Sequence, residues 1–356
     1  MNLAVEVLTP ESEQDYDNFV RSIPTSLFYA SLGYRTLLTH FLAAEEHYLI
    51  ARDSDQRIVG VLPAFVLEVP GKGCVANSLP FYGSHGGVVT SDTSGLVAKC
   101  LLEHFSDFAT ARRCLTSTII SSPFDTNLLP YYGDSTSYKM TDSRIGQLTR
   151  LPKGNDESSA LVMNALPSKT RNMVRKAEKL GIKVTANRQD GAMLFLANTH
   201  EANMAKIGGI AKPKHFFATI EEKLEYETDY RIYTASYEGQ LVAALLLFYF
   251  NQTVEYFTPV IVEQYRSSQP LSLLIYRAMS DAVTQGFEWW NWGGTWHTQD
   301  GVYRFKQSWG AIDMPYRYFT NVMDLSILTW DKNLILSTFP YFYVVPFDQL
   351  RSNTRD

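Results

Sequence analysis

The ten residues Leu241–Phe250, LVAALLLFYF, carry no charge and form the longest apolar run in the chain. A helix needs roughly twenty residues to cross a hydrocarbon core, so this run is too short to span a bilayer. Flanked by YEGQ and NQT, it reads as a β-strand buried on both faces. Such a strand needs helices above and below it, which points to an α/β architecture.

The run has a counterpart earlier in the chain. RIVGVLPAFVLE, from Arg57, places Ile58, Val59 and Leu62 at a constant offset of 183 from Leu241, Val242 and Leu245. Both runs follow a polar turn, DSDQ or YEG, and both are preceded by a short strand, HYLIAR or YRIYTAS. Each is followed by another strand (GCVANSLPF; TVEYFTPVIV), a helix (SGLVAKCLLEHFSDFA; QPLSLLIYRAMSDAVTQG) and a further strand (LTSTIISS; FEWWNWGG). A duplicated αβ unit is the economical explanation. The second helix has Ser268 as a cap, Pro270 in its first turn and Gly286 to close it. Between those ends Leu271, Leu274, Ile275, Ala278, Met279, Ala282 and Val283 form one apolar face that packs on the sheet. The polar, turn-rich stretch 135–159 separates the copies, giving a first domain over 1–150 and a second over 151–356, with a linking helix at 166–181.

That helix is a local exception in an acidic chain. The net charge is −5, so any polyanion contact must come from a patch, and Lys169, Arg171, Arg175, Lys176 and Lys179 face only Glu178 here. Guanidinium and ammonium groups so clustered suit phosphates of RNA or of a nucleotide-linked substrate, and no DNA partner is expected. Cys74, Cys100 and Cys114 show no CxxC spacing, which suits reduced thiols and gives no metal site. The start lacks a basic segment followed by an apolar core, so a cytoplasmic protein is expected. The uncharged, aromatic stretch 334–347 is a candidate for contact with the inner membrane surface, or else packs on its own domain.

Nucleophile elbows, Walker loops, His-Glu-x-x-His and EF-hand spacings are all missing. GSHGG at 83–87 reads as a turn. EQYRSSQPLSLL joins a strand to a helix amino end, a place that welcomes an anion. Near the end, NWGGTWHTQDGVYRFKQSWG reads as a strand that breaks at Gly293-Gly294 and returns in a short helix or turn bearing Arg304 and Lys306.

Three stretches together carry a family resemblance: LPSKTRNMVRKAEKLGIKV, then the region from YEGQ through WNWGGT, then GVYRFKQSWG. Over about residues 160–312 their order and spacing resemble the Fem-type aminoacyltransferases and their relatives with a GNAT-6-like acetyltransferase domain, and the first half resembles them more loosely. The resemblance implies two tandem GNAT-like domains, each a mixed, mostly antiparallel sheet flanked by helices. It implies transfer of an aminoacyl or acyl group from an activated donor to an amine of a cell-envelope or pathway acceptor, with no bound cofactor.

By the same similarity Lys306 holds the donor or the developing negative charge, with Phe305 and Asn291 beside it at the substrate. Arg266 orients a donor phosphate or acceptor carboxylate, Arg35 meets an anionic part of the acceptor, and Lys169, Arg171 and Arg175 meet the donor's phosphates. Where the family has an Asp before a Pro in the first domain, this chain has Ser122 before Pro123, with Asp125 close by. Glu255 and His297 are the substitute candidates for a base. The family's pyrophosphate loop reads Arg-Ser-Ser-Gln-Pro-Leu from Arg266, with Gln269 and Leu271 in place of small residues, so aminoacyl-tRNA is favoured over acyl-CoA. The alternatives are an acyl-CoA-dependent N-acetyltransferase of polysaccharide synthesis and a binding module that has lost catalysis.

Overall fold

A computed structural model describes residues 3–81, 83–134, 140–154, 158–296 and 298–350. The elements up to the chain's middle are β1 (Ala4–Val7), α1 (Glu13–Ser22), α2 (Leu32–Phe41), β2 (Glu45–Glu46), β3 (Leu49–Arg52), β4 (Ile58–Leu62), β5 (Phe65–Val69), β6 (Gly73–Asn77), β7 (Val89–Thr90), α3 (Leu96–Ala111), β8 (Thr116–Ile120), α4 (Leu129–Asp134) and β9 (Met140–Arg150). After them come α5 (Ser158–Ala165), α6 (Ser168–Lys179), β10 (Lys183–Thr185), α7 (Ala192–Lys206), α8 (Lys214–Lys223), β11 (Tyr230–Tyr237), β12 (Gln240–Phe250), β13 (Thr253–Ile261), α9 (Pro270–Thr284), β14 (Trp289–Thr295), α10 (Asp300–Gln307), β15 (Ile312–Asp313), β16 (Tyr316–Val322) and α11 (Lys332–Thr338).

The chain folds as two compact units, one of residues 1–144 and 315–356, the other of residues 145–314. This differs from a simple division at 150. The stretch 140–150, taken from the sequence as part of a turn-rich boundary, is the strand β9: its first half pairs with β16 inside the first unit and its second half with β14 inside the second. The stretch after 314 belongs to the first unit because β16 also pairs with β8, and because the Asn77 side chain accepts from the Tyr343 N–H and donates to the Tyr343 carbonyl. Ile335, Phe339, Phe342, Val344 and Val345 are buried, so the aromatic tail packs on its own unit, leaving Phe347 exposed.

In the second unit β12 is the fully buried strand that the apolar run requires. Ala243, Leu245, Leu247 and Tyr249 enter one core with residues of α5, α6 and α9, including Val162, Val174, Leu274 and Met279. On the opposite face Phe248 meets Phe257, which also meets Phe216 of α8. The second-unit sheet runs β10-β11-β12-β13-β14-β9, antiparallel except where β13 and β14 lie parallel, joined by α9. Gln269, in a left-handed conformation, rather than Ser268, stands at the N-cap of α9.

The first unit repeats the plan. Its β6 and β8 are parallel and joined by α3, as β13 and β14 are by α9. The run from Arg57 is not one strand: Pro63 and Ala64 interrupt it, and β4 and β5 enter different sheets. Proline cannot donate to a ladder, which accounts for the break. At the offset of 183 the equivalent positions are Leu246 and Leu247, where β12 stays continuous but its register against β13 shifts, leaving Phe257 as the extra residue. One distortion is thus solved in two ways.

Gly60 in β4 corresponds to Ala243 in β12. A Cβ at Gly60 would collide with Cγ1 of Val97 on α3. Gly60→Ala should therefore lower stability by about 1–3 kcal/mol through overpacking, and Val97→Ala in the same chain should recover part of it, both read by chemical denaturation.

Candidate functional site

β13 and β14 pair in parallel only over Thr253↔Trp289, Val254↔Trp290 and Glu255↔Asn291. Beyond Glu255 and Asn291 the two strands no longer pair, so these two side chains stand at a fork. They are buried and joined, the Asn291 amide Nδ2 donating to Glu255 Oε2 at 2.8 Å.

β14 bulges just after the fork. Against β9, Asn291 faces Leu148 while Gly294 faces Gly146, so β14 carries one extra residue. Gly293 there has φ +71°, a conformation that glycine takes at little cost. Its N–H donates to Asn291 Oδ1 at 2.9 Å. Its carbonyl, with that of Gly294, is turned toward Lys306, whose Nζ donates to both at 3.2 Å and to Thr295 Oγ1 at 2.7 Å. Thr295 in turn donates to Gln147 Oε1 on β9 at 3.0 Å. All three ammonium protons of Lys306 thus have acceptors, and burial pulls its pKa down to about 8.

α10 delivers Lys306, and aromatic packing holds α10. Phe305 lies edge-on to Trp292 and Trp309, with ring centroids 6.0 and 6.4 Å apart, so its place is in the core. Trp292 Nε1 donates to Thr149 Oγ1 at 2.9 Å, and Thr149 donates to the Trp309 carbonyl at 3.1 Å. The Thr170 hydroxyl, at the start of the basic helix, donates to the Ser308 carbonyl. The amino end of α6 therefore lies against the carboxyl end of α10.

On α6, Lys169, Arg175 and Lys176 are exposed, and no carboxylate pairs with them among the described residues. Arg171 is half-buried and donates from Nη1 to the Leu166 carbonyl at 2.9 Å. Arg266 is exposed and pairs with Glu263 on its own turn at 3.1 Å, and Glu263 also holds Lys206 at 3.1 Å. Gln269, where the family loop has a glycine, adopts φ +63° and ψ 34°. Its side chain folds back, donating to the Arg266 carbonyl at 3.2 Å and accepting from Ser272 Oγ at 3.0 Å.

The structure thus brings Glu255, Asn291 and Lys306 together, keeps Phe305 behind them as packing, and holds Arg266 to a glutamate. Arg35 belongs to the first unit. Its guanidinium is held by Glu46 and Glu13 at 2.6 Å each and lies over the Tyr48 ring, and these carboxylates push its pKa up. His297 lies outside the described residues. Sequence reasoning missed Gln147, Thr149 and Thr170, whose partners are more than a hundred positions away; for the two on β9 the hydroxyl or amide at Thr141, Ser143, Gln147 and Thr149 was the available signal.

A family model described as "Acetyltransferase (GNAT) domain" matches residues 168–307, from the start of α6 to just past Lys306. The second unit therefore holds a GNAT acetyltransferase domain, and the chain is of the acyltransferase class. A search of curated proteins gave no match. Among solved structures, FemX is similar with a TM-score of 0.71 at 14% identity, covering 91% of this chain and 98% of that one. The C-terminal domain of a putative lysylphosphatidylglycerol synthetase from Agrobacterium fabrum gives 0.57 at 12% identity, over 94% and 99%. A tandem GNAT protein from the clavulanic acid biosynthesis pathway gives 0.55 at 9% identity, over 90% and 99%. At these identities the likeness is one of fold, and the fold is two GNAT-like units in tandem.

Two substitutions test the tie between α10 and β14. Lys306→Met leaves three acceptors without their donor and should destabilise the second unit by about 1–3 kcal/mol. Gly293→Ala meets open space but the wrong backbone region and should cost about 1–2 kcal/mol, with Gly293→Asn milder because asparagine tolerates positive φ. Denaturation followed by fluorescence of the buried Trp290, Trp292 and Trp309 reads both.

Proposed function

We propose that the second unit transfers an aminoacyl or acyl group from an activated donor to the amine of a cell-envelope or pathway acceptor, with aminoacyl-tRNA the favoured donor. The observation that carries this reading is a buried ammonium held at the open end of two parallel strands, beside a helix whose exposed cations have no carboxylate partners among the described residues. In such a transfer the amine nitrogen attacks the carbonyl carbon, the amine loses a proton, negative charge develops on the carbonyl oxygen, and the tRNA hydroxyl or thiol departs.

Lys306 supplies positive charge for the developing oxyanion, and its three hydrogen bonds hold it in place ahead of the reaction. Glu255, anchored by Asn291 at the same strand ends, is the carboxylate that receives a proton. Lys169, Arg175 and Lys176 meet phosphates of the donor. The resemblance to Fem-type aminoacyltransferases, and neighbours named FemX and lysylphosphatidylglycerol synthetase, support an aminoacyl donor. The left-handed Gln269 favours acyl-CoA as the second reading, because the loop keeps the bend a glycine would give it.

Mass spectrometry of the products formed from charged tRNA or acetyl-CoA with amino-sugar and peptide acceptors decides between donors. Aminoacylated acceptor is expected from tRNA; acetylated acceptor alone would shift the reading to acyl-CoA, and no product from either would end it. If the Lys306 charge acts in the transition state, kcat/KM should fall as pH rises through about 8, where the ammonium loses its proton, and Lys306→Met should abolish that limb along with at least 90% of turnover. The double change Lys169→Glu and Arg175→Glu should raise KM for charged tRNA and leave that for acetyl-CoA unchanged.

A further inference from the structure

The first unit contains a cavity of about 400 Å³, within the range of small-molecule sites. Its walls come from loops that follow β6 and β8, with the residues after α1 closing the other side. Open sheets bind ligands outside the carboxyl ends of parallel strands, and β6 and β8 are the first unit's parallel pair.

GSHGG, a mere turn in the sequence, builds this cavity. A Cβ on Gly86 would collide with the Ser78 backbone, and one on Gly87 with the Asp125 carboxylate and the Tyr132 hydroxyl. Asp125 Oδ2 accepts from the Ser122 N–H at 2.9 Å and from Tyr132 Oη at 3.1 Å. Its Oδ1 has no partner among the described residues. His85 is 4% exposed, with Nδ1 set against the Ser121 carbonyl at 3.2 Å, which fixes the proton on that nitrogen. Nε2 is then an acceptor, and it has no partner among the described residues. Tyr29 and Tyr316 hold the ring edge-on.

Asp125 therefore offers the cavity a carboxylate oxygen that needs a donor. No Lys or Arg lines it among the described residues, and the other lining carboxylate, Asp92, is engaged with backbone N–H groups at the start of α3. We infer that the first unit binds a small hydroxylated primary ammonium compound, its charge at Asp125 and its hydroxyl groups among the serine and threonine hydroxyls of the wall. This site stands whether or not the second unit transfers acyl groups as proposed.

Ethanolamine, ethylene glycol and glycolate share a size and a hydroxyl while differing in charge, so they serve as probes on the full chain by ligand-observed NMR and thermal shift. Ethanolamine should bind and raise Tm, the other two should not, and Asp125→Asn should weaken ethanolamine at least tenfold. Burial raises the Asp125 pKa to about 7, whereas His85, lowered to about 4, stays neutral and Asp92 stays charged above pH 6. Tyr132, which donates to Asp125 Oδ2, is the remaining titratable neighbour. Ethanolamine affinity should consequently rise about tenfold from pH 6 to pH 8, a test in the wild-type chain that holds even if Asp125→Asn fails to fold. Equal binding of glycolate or ethylene glycol, or affinity flat or falling with pH, would overturn the inference.

Discussion

The backbone of Gly293 is the point on which the second unit's site depends. Its N–H is fixed by Asn291, which holds Glu255, and its carbonyl is fixed by Lys306. A buried ammonium is costly unless it is paired or fully hydrogen-bonded, and only a bulge turns two successive carbonyls to one side of a strand. The extra residue in β14, the positive φ at Gly293 and the lowered pKa of Lys306 are therefore one arrangement seen three ways. It places a carboxylate and an ammonium at the end of a parallel strand pair, linked by one unbroken series of hydrogen bonds through the backbone.

Much of this was legible in the sequence where the signal was local. The apolar run 241–250 demanded a strand covered on both faces, and β12 is that strand. The face of α9 packs as its spacing requires, with Leu274, Ile275, Ala278, Met279, Ala282 and Val283 buried. The repeat survives in the matched parallel pairs. Non-local relations were illegible. β9 alternates weakly because hydroxyl and amide side chains point inward, where they bind Lys306 through Thr295 and the Trp309 backbone. The return of residues 315–356 to the first unit rests on pairing with β8 and on one buried asparagine. Arg35 looked available because its two partners, Glu13 and Glu46, lie on other elements.

The two copies have diverged in charge at equivalent places. At the end of its parallel pair the second unit buries an ammonium, and the neighbouring helix carries exposed cations without carboxylate partners among the described residues. At the corresponding end of its own pair the first unit has Asn77 engaged with Tyr343 and, beyond it, a cavity lined by Asp125 and His85 and, among the described residues, by no Lys or Arg. Duplication supplies two parallel strand pairs of one plan, and the field at the end of each is then set by one or two side chains whose burial magnifies their effect. The first field described suits a negatively charged group and the second a positively charged one, and neither is visible in a net charge of −5 spread over 356 residues.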